Sequence, residues 1–252
     1  MMQNEYEQSN KLDRLDWVTE IPSGWELIKL KFVCKLLSSN VDKKYHDDEI
    51  EVKLCNYTDV YYNEIIDNNL DLMVATVTEN EKQKFTIKEN DVIITKDSES
   101  FDDIAIPAIV GNDHHGIVCG YHLAILRSDP QRLYGQYLYW FLTSEVGNFQ
   151  YQINANGVTR YGLPKYWINN SFILLPSLIE QKKISDFLYK EDSRIKKIIN
   201  LLGGQEVCDG SSPDSMIGKL IMYRSTLLNN VLTGKIRIYE NTKESDKLIV
   251  NE

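Results

Sequence analysis

The sequence predicts an α+β protein: a globular mixed α/β domain followed by C-terminal helices that form a coiled-coil or helical spacer. Three observations carry that expectation. Up to about Leu126 the chain is a series of short apolar runs bounded by Asn, Asp, Gly or Ser, the texture of strands and turns. One stretch, Leu133 to Phe149, follows a helical period instead. From Leu178 onward the apolar positions step by threes and fours, as amphipathic helices do.

Residues 1–16 form a polar lead, with no apolar stretch to serve as a signal peptide. The run Asp91 to Lys96 reads as a strand. So does Gly116 to Leu126, where Ile117, Cys119, Tyr121, Leu123 and Ile125 alternate with Val118, Gly120, His122, Ala124 and Leu126. Both faces of that run are largely apolar, which predicts a central strand. After Pro130, Leu133, Tyr137, Trp140, Phe141 and Leu142 predict one helix ending near Gly147. Asn154 to Lys165 is a polar loop punctuated by Gly and Pro, and a strand from Trp167 to Leu175 is expected to close the domain at Pro176.

Beyond that boundary Ile184, Leu188, Ile195, Ile198 and Leu202 form a heptad seam if Glu191 holds the missing place. Ile217, Leu220, Leu227 and Val231 repeat the spacing through Met216 to Leu232, and Thr233-Gly234 is a suitable stop. Gly203 to Ser215 interrupts the two and can let them fold back on each other. The expected division is a lead over 1–16, a globular domain over 17–176, a helical region over 177–236 broken at 203–215, and a polar tail over 237–252.

With 252 residues, 42% of them apolar, the chain can fill a core. Its longest apolar runs, such as Ile104 to Val110, fall far short of a membrane span, so a cytoplasmic protein is expected. Cys34, Cys55, Cys119 and Cys208 stand singly without a C-x-x-C pair, which predicts reduced thiols, no disulfide and no zinc. A net charge of −9 counts against a nucleic-acid partner, since phosphate binding draws on Lys and Arg. The charge is uneven, however. Residues 1–126 carry 12 basic and 24 acidic side chains, whereas residues 127–237 carry 14 and 9. A solvated acidic face or a division between a partner surface and a phosphate surface gives such an asymmetry.

Six segments, in order, resemble the specificity subunits of type I restriction-modification enzymes: WVTEIPSGWELIKLKFV from Trp17, ENDVIITKDSESFDDIAIPAIV from Glu89, GIVCGYHLAILRSD from Gly116, GVTRYGLP from Gly157, INNSFILLPSLIEQKKISDFL from Ile168 and YRSTLLNNVLTGKI from Tyr223. The resemblance covers roughly Trp17 to Ile236. It implies a non-catalytic subunit without a cofactor, whose target-recognition domain reads one half of a split site in double-stranded DNA. It also implies helices that dock methyltransferase subunits and, through the complex, restriction subunits. Family members usually carry two such domains. A chain with one resembles a half-length subunit that forms a homodimer or pairs with a second specificity half. The family's helix runs unbroken toward the YR and TGK segments, whereas Gly203, Gly204, Gly210 and Pro213 interrupt it here.

Within that frame the loop GVTRYGLP is the first choice for DNA contact. Arg160 suits guanine O6 and N7 or a phosphate, Thr159 a phosphate or a thymine methyl, and Tyr161 stacking or a hydrogen bond. The plainer alternative is a surface loop in which Arg160 pairs with a nearby carboxylate. Lys96 and Ser98, in the hydroxyl-rich stretch Thr95 to Ser100, are further candidates against the alternative of a capped turn. Lys165, Arg127 and Arg132 qualify on charge alone.

Asp113, His114, His115, Cys119 and His122 lack metal-site spacing, because Cys119 and His122 fall on opposite faces of one strand. Glu51 and Lys53, with Asp47 and Asp48, give half of a metal-dependent nuclease pattern that occurs often by chance. Neither a Walker-type loop nor a methyltransferase cofactor motif is present. Two rivals stand beside DNA recognition: a protein-interaction module that binds methyltransferase subunits without reading DNA, and a nuclease.

Overall fold

The computed structural model describes residues 20–101, 103–203, 212–238 and 249–250. The polar lead, Trp17, Cys208, the centre of the 203–215 break and most of the tail lie outside the described residues.

In chain order the first half contains β1 (Glu26–Lys29), a 3-10 turn (Leu30–Phe32), β2 (Cys34–Ser38), β3 (Ile50–Cys55), α1 (Tyr57–Tyr62), β4 (Ile65–Ile66), β5 (Met73–Val77), α2 (Glu79–Phe85), β6 (Val92–Thr95), β7 (Asp97–Ser98), β8 (Pro107–Val110), β9 (Ile117–Cys119) and β10 (Leu123–Ser128). The second half contains α3 (Gly135–Thr143), α4 (Glu145–Gln152), β11 (Tyr161–Gly162), α5 (Lys165–Asn170), β12 (Phe172–Leu175), α6 (Leu178–Leu201), α7 (Met216–Leu232), β13 (Ile236–Arg237) and β14 (Ile249–Val250). Contacts divide the chain into a larger unit, residues 28–143 and 147–173, and a smaller unit, residues 1–27, 144–146 and 174–252.

The larger unit is built on a five-stranded sheet in the order β2-β10-β6-β8-β4 and a three-stranded sheet in the order β5-β3-β9. Leu37, Ile93, Leu123 and Ile125 of the first share one buried cluster with Leu54, Ala75, Val77, Ile117 and Val118 of the second. The alternate residues Val92, Ile94, Ala124 and Leu126 are buried too, and α3 packs on β6, β8 and β10. A strand covered on both faces loses its polar alternation, which is why β10, paired with β2 and β6, reads as continuously apolar. The short helices are closed by side chains: Asn56 with Asp59, and Thr78 with Glu81, form reciprocal capping boxes at α1 and α2.

Three expectations need correction. Gly116 to Leu126 is two strands in different sheets, β9 and β10, and the chain turns between them. The Gly120 N–H donates to the Cys55 carbonyl at 2.8 Å, and a Cβ on Gly120 would lie 2.8 Å from that oxygen, so only glycine allows the turn to close there. Leu133 to Phe149 is likewise interrupted, at Ser144, and Gly147 lies inside α4 rather than at a helix end. Its role is close packing, since a Cβ would fall 1.8 Å from the Phe141 carbonyl. Finally, Trp167 belongs to helix α5 rather than to a closing strand, which begins only at Phe172. Pro164 sets that start, because its fixed φ suits a helix N-terminus.

In the smaller unit α6 and α7 pack against each other. Ser177 and Ser215 cap them by accepting the Glu180 and Gly218 N–H groups. On α6 the buried stripe runs Gln181, Ile184, Ser185, Leu188, Asp192, Ile195 and Ile199. Asp192, not Glu191, therefore holds the polar place in the seam, where Lys196 at 2.8 Å and Arg224 of α7 neutralise it. Ile198 and Leu202 leave the seam and are 45% and 48% exposed. On α7, Leu227 and Val231 are buried, while Ile217 and Leu220 are partly so. No helix among the described residues is long and apolar enough to cross a membrane.

Candidate nucleic-acid interface

Within the larger unit, the two segments singled out by sequence meet in a two-stranded ribbon. β7 pairs antiparallel with β11, placing Ser98 opposite Tyr161 and Asp97 opposite Gly162. The loop before β11 is tied at its base by reciprocal hydrogen bonds between Asn156 and Gly162, at 3.0 and 2.8 Å. Gly157 is required inside it, because a Cβ there would sit 1.9 Å from the Arg160 carbonyl. The tip residue Val158 is 94% exposed. Such a loop is held at its root and open at its end, the arrangement by which a rigid scaffold presents recognition residues.

Asp97 organises the charged part. Its Oδ1 accepts from Arg160 Nε at 3.1 Å and Nη2 at 2.5 Å, and its Oδ2 lies 2.7 Å from His122 Nδ1. A carboxylate only accepts, so His122 carries a proton on Nδ1. The Arg160 side chain is 52% exposed, whereas those of Asp97 and His122 are 18% and 20%. Aromatic rings surround this group: Tyr121 lies 3.7 Å from the His122 ring, Phe101 meets Tyr161 edge-on at 6.1 Å, and Tyr57 hydrogen-bonds Ser98. Beside them a hydrogen bond to Asp103, with some desolvation, pushes the Tyr61 phenol up to about 12. Ala105, two residues beyond Asp103, has a left-handed φ of 57° and is fully buried, a strained position held by the Asn148 amide at its carbonyl.

The remaining candidates separate by what they touch. Lys96 turns inward, donating to Ser38 Oγ at 3.1 Å and the Ser39 carbonyl at 2.9 Å, and burial lowers its pKa. Ser98 is 3% exposed and serves the turn by accepting the Ser100 N–H. Thr159 and Lys165 are exposed. Arg127 is committed elsewhere: it grips Asp91, itself 2% exposed, through Nε at 2.9 Å and Nη2 at 2.6 Å.

Cys119 and His122 sit in separate segments, so the parity argument about them fails with the single strand on which it rested. His114 bonds the Gly111 carbonyl at 2.9 Å. Lys53 bonds Asn68 at 2.9 Å, and Glu51 is exposed beside it. Among the described residues no three His, Cys, Asp or Glu are placed to share a metal ion.

Sequence reasoning did not single out Val158, Tyr57, Phe101 or the part played by Asp97 and His122. Only the proximity of Asp97 to Lys96 and Ser98 hinted at the last.

The larger unit is thus a mixed α/β domain with an arginine-bearing loop at its surface, and the chain continues into a pair of packed helices. The chain belongs to the type I restriction modification DNA specificity domain family, whose model matches residues 22–202. No curated protein sequence matches it. Among solved structures it is similar to a chain from a study of complex assembly and conformational transition in a type I R-M system, with a TM-score of 0.56 and 14% identity over 92% of this chain and 52% of that one. It is also similar to the HsdS subunit from Thermoanaerobacter tengcongensis, with a TM-score of 0.45 and 16% identity over 92% and 53%. The S subunit from M. genitalium gives 0.44 and 16% over 73% and 43%. The chain thus spans about half the length of these structures.

Proposed function

We propose that this chain is the non-catalytic DNA-recognition subunit of a type I restriction-modification complex, reading one half of a split site. The observation that carries this is the β7–β11 ribbon, which brings two candidate segments distant in sequence together at the base of an exposed loop carrying Thr159 and Arg160, in a member of the DNA specificity family. Thr159, Arg160, Tyr161 and Lys165 are the DNA-contact residues in this reading, with Lys96 and Ser98 supporting the ribbon. The recognition domain runs over about 17–176, and helices over 177–236 dock methyltransferase subunits, directly or with restriction subunits in the same assembly. A second specificity half, from another copy or another chain, completes the site.

The test is a genome-wide map of adenine methylation in cells with and without the gene, the methyltransferase being present in both. An interrupted motif that loses methylation without the gene is the expected result. No change in any motif would overturn the reading and favour a module that binds methyltransferase without reading DNA.

A further inference from the structure

Resting on the DNA reading above, we infer that Arg160, held by Asp97, reads a guanine in the half-site, and that Asp97 and His122 are positioning residues that fix this choice. A guanidinium has a side edge, Nε with Nη2, and an end edge, Nη1 with Nη2. Here the side edge is taken by a single oxygen, Asp97 Oδ1. The end edge keeps two parallel N–H donors on a side chain that is half exposed; Nη2 also lies 3.4 Å from His122 Nδ1, but the proton on that nitrogen is directed to Asp97, so the ring does not accept from it. In the major groove only guanine offers two neighbouring acceptors, O6 and N7; adenine and thymine each offer one acceptor beside a donor or a methyl, and cytosine offers a donor.

The same geometry decides between base and phosphate, the two partners open to a lone arginine. A phosphate clamp draws on net positive charge. Asp97 cancels that charge at 2.5 Å while leaving the directional donors in place. The carboxylate is largely withdrawn from a base, because its side chain is only 18% exposed and both oxygens are engaged, Oδ1 by Arg160 and Oδ2 by His122. It therefore acts by aiming Arg160. His122 in turn fixes Asp97, and Tyr121 lies across the His122 ring. The anchoring is two-sided: Asp97 is paired to Gly162 in the ribbon, and Arg160 precedes that ribbon directly.

The experiment uses the assembled complex and duplexes carrying the mapped motif, in which each guanine of the half-site is replaced in turn by 7-deazaguanine, which lacks the N7 acceptor, or by inosine, which keeps N7 and O6. One position is expected to lose about 5- to 150-fold in affinity with 7-deazaguanine, the equivalent of about 1–3 kcal/mol, and to tolerate inosine. At that position alone, Arg160→Lys and Asp97→Asn should abolish the penalty and admit other bases, the lysine because it lacks the planar fork. Retained discrimination at every other position shows the variants to be folded.

A half-site with no guanine sensitive to 7-deazaguanine overturns the inference but not the DNA reading. So does unchanged discrimination in both variants, or an Arg160→Lys variant with full affinity and specificity, the mark of a phosphate contact. Absence of any chain-dependent binding by the complex overturns both.

Discussion

Aspartates 91 and 97 both hold an arginine, yet they differ in what the arginine can still do. Asp91 is buried, and Arg127 spends its Nε, its Nη2 and a further bond to the Thr86 carbonyl on the larger unit's own structure. Asp91→Ala leaves that guanidinium without its carboxylate partner, and because Arg127 is 23% exposed a loss of about 1–3 kcal/mol is expected in denaturant unfolding, with assembly otherwise intact at low temperature. Tyr61 gives a pH-dependent case. Its folded pKa, about 12, lies above the ordinary phenol value, so its contribution to stability is fully present below pH ~10 and is lost as pH rises through about 12. Phenolate absorbance should show Tyr61 titrating late, together with Tyr57 and Tyr151, which burial also raises, and Asp103→Asn should bring one of these late steps earlier. Arg160 was legible from sequence because a Gly- and Pro-bounded loop advertises exposure. Its partner was not, because Asp97 stands 63 residues away and nothing local couples them.

At the level of elements, periodicity identified what packs but not where the chain must bend. The strands around Ile93 and Leu123, the helical stretch after Pro130 and the two C-terminal helices all follow from the spacing of their apolar residues. The break at Gly120 and the close packing of Gly147 do not, because each arises where the backbone of one segment approaches a carbonyl of another. Gly147→Ala tests that account: the added methyl meets the Phe141 carbonyl rather than open space, so a loss of about 1–3 kcal/mol in denaturant unfolding is expected instead of the gain a helix interior ordinarily gives. The helix pair offers a second test. Asp192 serves Lys196 and Arg224 at once, and Asp192→Ala should cost about 1–3 kcal/mol, less than a fully buried pair because Arg224 is 27% exposed. Pairing Asp192→Leu with Arg224→Met should recover most of that loss in the same thermal melts.

For the whole molecule, the proposed half-site reading turns on what covers the apolar residues that the helix pair leaves exposed. The smaller unit keeps Ile179, Ile198, Leu201, Leu202, Met216 and Met222 exposed, apolar side chains that the packing of α6 on α7 leaves uncovered. Under the proposed reading, two routes would cover such residues and supply a second half-site: another copy of this chain, or a different specificity half. They differ in symmetry. Two identical chains meet through a twofold axis, and a twofold axis sets identical half-sites in inverted orientation, so the methylated motif must be an interrupted palindrome. A different second half carries its own loop and yields two unlike half-sites. A net charge of −9 offers little attraction to phosphates, so under this reading tight DNA binding would depend on completing the pair. The expected outcome is a palindromic motif together with a complex whose mass, by light scattering, contains two copies of this chain. Leu201→Glu combined with Met216→Glu should then halve that copy number and remove methylation at both half-sites together, since neither half binds well without the other. If the variant instead leaves one half-site bound and methylated, each recognition unit holds DNA independently and the twofold pairing is not what sets the spacing.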